Sequence, residues 1–244
     1  MIVRLVDDRV ALITQPDHAR LAGTIMQHCV PLASRPRRDT ILHAIAEHDG
    51  GWIEEDAAPT INPTTGDVVD FVNAPLSVRH SVWTRGISRL GGDPWAAALV
   101  AQHAITVYDR FRSDAEWASF FARMEAARDA MVRTSGMPSD DLAADYAFVR
   151  LGDLISLTFC AAWTDEQRFG EWTVRLSGTR LVITPSAFGD AEIPIQITAS
   201  VIPAQRFRSD ADVREALNRA DTVTLRGTVG GYPRASGRDS TART

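Results

Sequence analysis

The period of the hydrophobic pattern changes once along this chain, and that change limits the fold more than any other feature. From about residue 16 to 165, apolar side chains recur at three- and four-residue spacing, as amphipathic helices require. After Gly170 the pattern becomes alternation: WTVRLSG, TRLVITPS, IPIQITASVIPA and TVTLRGTVG read as strands, with a short helix over 210–219. Two further β-prone runs, residues 2–5 and 10–14, flank Val6-Asp7-Asp8-Arg9 and read as an N-terminal hairpin. A lone hairpin is too small to be stable, so it is expected to join the C-terminal strands. The fold class expected is α+β: one domain over residues 1–234, with a mainly helical core and a sheet built from both ends of the chain. The last ten residues, 235–244, rich in Ser, Arg and Thr, are expected to be disordered.

Helices are expected over residues 16–29, 37–48, 78–90, 95–111 and 114–134, and one or two over 140–163. Asp93-Pro94 supplies an N-cap followed by a proline at the first helical position. Gly50-Gly51 is read as the stop of the second helix, and residues 58–75 as a turn-rich loop.

Composition removes several functional classes. The longest apolar run, around residues 154–163, is too short to cross a membrane, and Asp7, Asp8 and Arg9 interrupt any signal-peptide core. Cys29 and Cys160 have no CxxC spacing, so neither a disulfide framework nor a zinc–thiolate site is expected, and a reducing cytoplasm fits. A net charge of −5 argues against general nucleic-acid binding. All 26 strong cations are arginines, so chemistry that needs a P-loop lysine or a Schiff-base lysine is ruled out.

The residues that carry chemistry lie on the helices. In RRDTILHAIAEHDGGW, His48-Asp49 closes a helix, where a carboxylate meets the negative end of the dipole and calls for a nearby positive charge. His18 shares a helix face with Leu21, Ala22 and Ile25; His103 lines up with Leu99 and Val107; Asp153 lines up with Val149, Leu157 and Cys160. A carboxylate on an apolar face needs a cation or strong donors, and Arg150 is the nearest arginine to Asp153. Each residue alone has a structural explanation, as a hydrogen-bonded core histidine or a paired aspartate. The combination points to a divalent metal. Gln15 and Trp52 are expected to line the same pocket, whereas His28 and His43 fall outside the pattern.

The ordered set His18, His48-Asp49, Asp153 resembles the HD-domain superfamily of metal-dependent phosphohydrolases. More narrowly, ITQPDHARLAG, AIAEHDGGW, LVAQHAITVYDRF and LGDLISLTFC resemble an uncharacterised bacterial family of unknown function, over about the first two thirds of the chain. The superfamily resemblance implies an HD-like helical core and adds His80 and His103 as further metal ligands. Nothing resembles the GYP motif of cyclic-di-GMP phosphodiesterases or the nucleotide signatures of triphosphohydrolase and stringent-response members.

The imidazole count and the absence of thiolate favour one or two ions of Mn, Fe or Zn, with Mg also compatible. The activity implied is hydrolysis of a small-molecule phosphoester by a metal-activated water, with Asp49 bridging metals or acting as base and Arg79 or Arg85 stabilising the phosphoryl charge. Two alternatives are an HD-like di-iron oxygenase and a non-catalytic interaction protein. Homo-oligomerisation is compatible with the sequence.

Overall fold

Alternation at the two ends of the chain resolves into one sheet. In the computed structural model, which describes residues 1–231, β1 (Ile2–Val6) and β2 (Arg9–Ile13) form the N-terminal hairpin. From the C-terminal part come β3 (Gln167–Phe169), β4 (Trp172–Ser177), β5 (Arg180–Thr184), β6 (Ile193–Pro203) and β7 (Asp221–Gly230). The order is β1-β2-β6-β7-β5-β4-β3; β5 and β7 run parallel, and the other neighbours are antiparallel. The hairpin thus docks on β6, with Arg9 opposite Pro203 and Leu12 opposite Ser200. Strand β6 buries Ile193, Ile195, Ile197, Ala199 and Val201 and exposes the residues between the isoleucines, so the period-2 pattern assigns its two faces.

The helices are α1 (Gln15–Met26), α2 (Val30–Ala33), α3 (Arg38–Glu47), α4 (Ile53–Ala57), α5 (Leu76–Arg89), α6 (Pro94–Val107), α7 (Ala118–Ser135), α8 (Leu142–Cys160) and α9 (Asp210–Asn218). Helix α6 begins as expected, with the Asp93 carboxylate accepting from the Ala96 amide at 3.0 Å and Pro94 just inside. It is buried on all sides from Trp95 to Ala101, which places it at the centre of the helical layer. Residues 140–163, read as one or two helices, contain the single long α8. Short 3-10 turns end the expected 95–111 helix and open the expected 114–134 helix. Helices α2 and α4 and strand β3 carry too few residues for a periodic signal and were not expected. The tail over 235–244 lies outside the described residues. Among the described residues, no helix is long and apolar enough to cross a membrane.

Two glycines permit the close approaches that build the centre. A Cβ at Gly152 would lie 2.9 Å from Met26 Cγ and 3.0 Å from Ile45 Cγ2, so α8 meets α1 and α3 only because its surface is bare one residue before Asp153. Gly51 differs from its expected role. Neither Gly50 nor Gly51 has the left-handed φ of a helix stop; α3 passes through His48 into a 3-10 turn, Gly50–Trp52. Gly51 is required because a Cβ there would sit 1.8 Å from the Val82 carbonyl oxygen of α5.

Asp145 ties α8 to the segment before α3. Its buried carboxylate accepts from Arg35 Nη2 at 2.7 Å, Arg37 Nε at 2.6 Å and Trp95 Nε1 at 3.0 Å. Burial pushes its pKa up, and the two guanidiniums and the indole outweigh that and hold it below the ordinary value. A lowered folded pKa gives stability that is complete above the unfolded pKa of about 3.9 and is lost as pH falls through the folded value. Asp145→Asn is expected to destabilise the protein by roughly 3 kcal/mol at pH 7, because it removes the buried charge between Arg35 and Arg37, of which only Arg37 keeps another carboxylate, Asp141 at 2.9 Å. In urea denaturation the difference from wild type should shrink toward pH 3; a difference independent of pH would show that the charge is not what matters.

Candidate metal centre

Helices α1, α6 and α8 and the two residues that follow α3 deliver five polar side chains to one buried point. His18, His48, Asp49, His103 and Asp153 are each 7% exposed or less. The three imidazoles stand edge to face, with His48 in the middle and ring centroids 5.0 Å from both His18 and His103. Two groups can hold an ion, His18–His48–Asp49 and His48–His103–Asp153; within each, the ligand atoms lie within 4.8 Å of one another.

Hydrogen bonding fixes which nitrogen each ring offers. Ser156 donates its one hydroxyl proton to the Asp153 carbonyl at 3.1 Å, so at 3.0 Å it can only accept from His18 Nδ1. His48 Nδ1 donates to the Ile45 carbonyl at 2.7 Å. His103 Nδ1 faces the Tyr146 hydroxyl at 3.2 Å. In each ring the outer nitrogen is thus engaged, leaving Nε2 to point inward, the arrangement by which outer partners orient metal-binding histidines. His18 Nε2 lies 2.8 Å from Asp49 Oδ2. His48 Nε2 has no hydrogen-bond partner; it lies 3.6 Å from Asp49 Oδ2 and 3.4 Å from Asp153 Oδ1. His103 Nε2 is 3.6 Å from Asp153 Oδ2.

A lone pair directed at a carboxylate oxygen is repulsive unless a cation stands with them, either a second proton on the ring or a metal. The spacing suits a metal. Bonds of about 2.1 Å set at 90° to 109° place neighbouring ligand atoms about 3.0 to 3.4 Å apart, close to the 2.8–3.6 Å separations here. Without metal, the carboxylates draw a proton to His48. Burial pushes the His48 pKa down, and Asp49 and Asp153 more than offset it, to about 9. Burial instead drives His103 down to about 3, so it is neutral. Burial raises both carboxyls, but the adjacent imidazoles, with Arg150 beside Asp153, bring Asp49 below the ordinary value and Asp153 well below it.

The centre opens into a cavity of about 600 Å³. Asp49, His103 and Asp153 lie along its lining with Gln15 and Trp52, the two residues expected there. Gln15 is 1% exposed and its Oε1 has no partner, leaving an acceptor free beside the centre. Arg150, bonded to Asp153 Oδ2, and Arg79, donating to the Ala74 carbonyl at 2.8 Å, also line the cavity. Arg85 does not. Glu55 Oε1 at 2.8 Å, Glu54 Oε2 at 3.4 Å and the Gly51 carbonyl at 3.2 Å occupy its guanidinium. His80 belongs to neither ligand group; it stacks on Phe120 at 5.0 Å and meets Trp117 edge-on at 4.8 Å. Tyr108, Arg110, Gln167 and Phe169 also line the cavity and were not among the expected site residues, since nothing local marks a side chain that reaches a site from β3 or a 3-10 turn.

Fold and site together define an α+β protein with a buried His/Asp centre, able to hold metal, at the base of a cavity. Residues 1–204 match the model of a family described as a protein of unknown function (DUF3891), and the chain belongs to that family. No curated protein and no solved structure matches the chain.

Proposed function

We propose that this protein is a metal-dependent hydrolase of the HD type that acts on a small phosphoester. The observation that carries the reading is the convergence of three Nε2 atoms on two carboxylates, with each outer ring nitrogen already engaged. The order His18, His48-Asp49, Asp153 along the helices is that of the superfamily resemblance. An ion would be held by His18, His48 and Asp49 or by His48, His103 and Asp153, the two groups being alternatives for His48, whose Nδ1 is taken by Ile45 and whose Nε2 lone pair serves one ion. An ion of Mn, Fe or Zn would supply a water acidic enough to ionise near neutral pH and a Lewis acid for a phosphoryl oxygen.

The protein's own groups do the rest. Asp49 lies on the cavity lining with one oxygen turned to His18, placed to take a proton from the attacking water. Arg150 reaches both Asp153 and the cavity, where its guanidinium can hold phosphoryl oxygens during transfer. Trp52, Trp83 and Leu157 exclude water around the reacting atoms.

Protein loaded with Mn, Fe or Zn should release phosphate or alcohol from a panel of phosphomonoesters and phosphodiesters, and Asp49→Asn should abolish turnover. Metal uptake without any ester hydrolysis would overturn the hydrolase reading. The two arginines separate as well. Arg150→Ala is expected to lower kcat/KM by ~100-fold, as loss of a charge-stabilising donor does. Arg85→Ala should change it less than about threefold, since Glu54 and Glu55 hold that guanidinium away from the cavity. Equal losses in the two variants would place the substrate elsewhere.

A further inference from the structure

The lining of the cavity includes features that holding metal does not require. Helix α8, which carries Asp153 and Ser156, ends in a Schellman turn: the Ala162 amide donates to the Phe159 carbonyl at 3.3 Å and the Trp163 amide to the Thr158 carbonyl at 3.1 Å. The left-handed position of such a turn normally falls to glycine. Here it is Ala162, with φ at 54°. This strained turn reverses the chain and brings Trp163 to the cavity.

Two more rings arrive from unrelated segments. Phe71 opens a 3-10 turn in which Asp70 accepts from the Val72 amide at 2.9 Å and from the Val3 amide of β1 at 3.0 Å. Phe169 comes from the short edge strand β3. Phe71, Trp163 and Phe169 are all half-buried. Among the described residues, Phe71 and Trp163 have no aromatic partner, and Phe169 meets only Tyr146, edge-on at 6.3 Å. The interior rings behave otherwise: Trp117 packs edge-on against Phe120 at 5.3 Å, and Phe120 edge-on against Phe121 at 5.5 Å.

Asp49 and Asp153 belong to the ligand groups; every other charged side chain on the lining is an arginine, Arg79, Arg110 or Arg150. A space of about 600 Å³ is larger than a phosphate needs and falls in the range of organic ligands. We propose that the cavity takes a phosphoester bearing a planar aromatic group, with the phosphoryl end on the floor beside Arg150 and the ring among Phe71, Trp163 and Phe169. This rests on the hydrolase reading above and goes beyond it by assigning the organic part of the substrate.

The test is calorimetric titration of metal-loaded protein with two non-hydrolysable probes, phenylphosphonate and methylphosphonate. Phenylphosphonate is expected to bind about tenfold more tightly, as a stacked ring provides. Trp163→Ala should erase that ratio while leaving methylphosphonate affinity unchanged, and Trp163→Phe should restore it. Phe71→Ala, in a separate segment, should reduce the ratio independently and covers the case of a Trp163→Ala protein that fails to fold. Equal affinities for the two probes in wild type would overturn the aromatic assignment and leave the hydrolase reading intact. Failure of both probes to bind the metal-loaded protein would overturn both.

Discussion

Replacing His48 with alanine is expected to abolish metal uptake. Its Nε2 is shared by both candidate ligand groups, so its loss dismantles the two together, whereas loss of His18 or His103 would break only one. Removing a group that merely orients a metal-binding histidine typically costs about 10- to 100-fold in metal affinity. Deleting the shared imidazole itself should therefore cost more than about 100-fold. Ser156→Ala, which removes the acceptor for His18 Nδ1, should fall near 10-fold. His80→Ala is the contrasting variant, because that ring lies between Trp117 and Phe120 and metal content should not change. The checks are metal-to-protein ratios after dialysis against Mn, Fe or Zn, with circular dichroism to verify folding of each variant. Equal metal content in His48→Ala and wild type would remove His48 from the centre.

The second large effect is expected from the smallest change, Gly51→Ala. The added methyl would occupy space 1.8 Å from the Val82 carbonyl oxygen and 2.8 Å from the Gly86 amide nitrogen, both backbone atoms of α5. Neither can turn away as a flexible side chain would, so the 3-10 turn after Asp49 and helix α5 must separate. Overpacking of this kind costs roughly 3 kcal/mol or more when backbone is the obstacle. The displaced turn starts at Asp49, so metal affinity should fall together with stability. Gly92→Ala is the control, since a Cβ there meets nothing within 4 Å. Thermal denaturation should separate the two variants clearly, and a Gly51→Ala protein as stable as wild type would contradict the packing described.

Much of this architecture was legible in the sequence because it is periodic. The alternation in IPIQITASVIPA assigned the faces of β6, and the spacing of His18, His103 and Asp153 placed each on a buried helix face. What sequence could not convey is proximity between distant segments. Arg85 and Arg150 look alike in the chain; Glu54 and Glu55 on the short α4 decide that Arg85 faces away from the cavity. His80 sits on a good helix, and the rings of Trp117 and Phe120, almost forty residues later, take it. Gly50-Gly51 carried the composition of a helix stop, and only the neighbouring α5 shows that Gly51 answers to packing. Strand β3, three residues long, is below the length at which alternation can be read, yet it brings Gln167 and Phe169 to the cavity.

An ion held beside His48 is central to the proposed chemistry, and anomalous X-ray diffraction tests for it most directly. Crystals grown with Mn and recorded above its absorption edge should give an anomalous peak within bonding distance, about 2.2 Å, of His48 Nε2, with a carboxylate oxygen of Asp49 or Asp153 in the same coordination sphere. Ordered, fully folded protein with no anomalous peak at that position after soaking in Mn, Fe and Zn would contradict it.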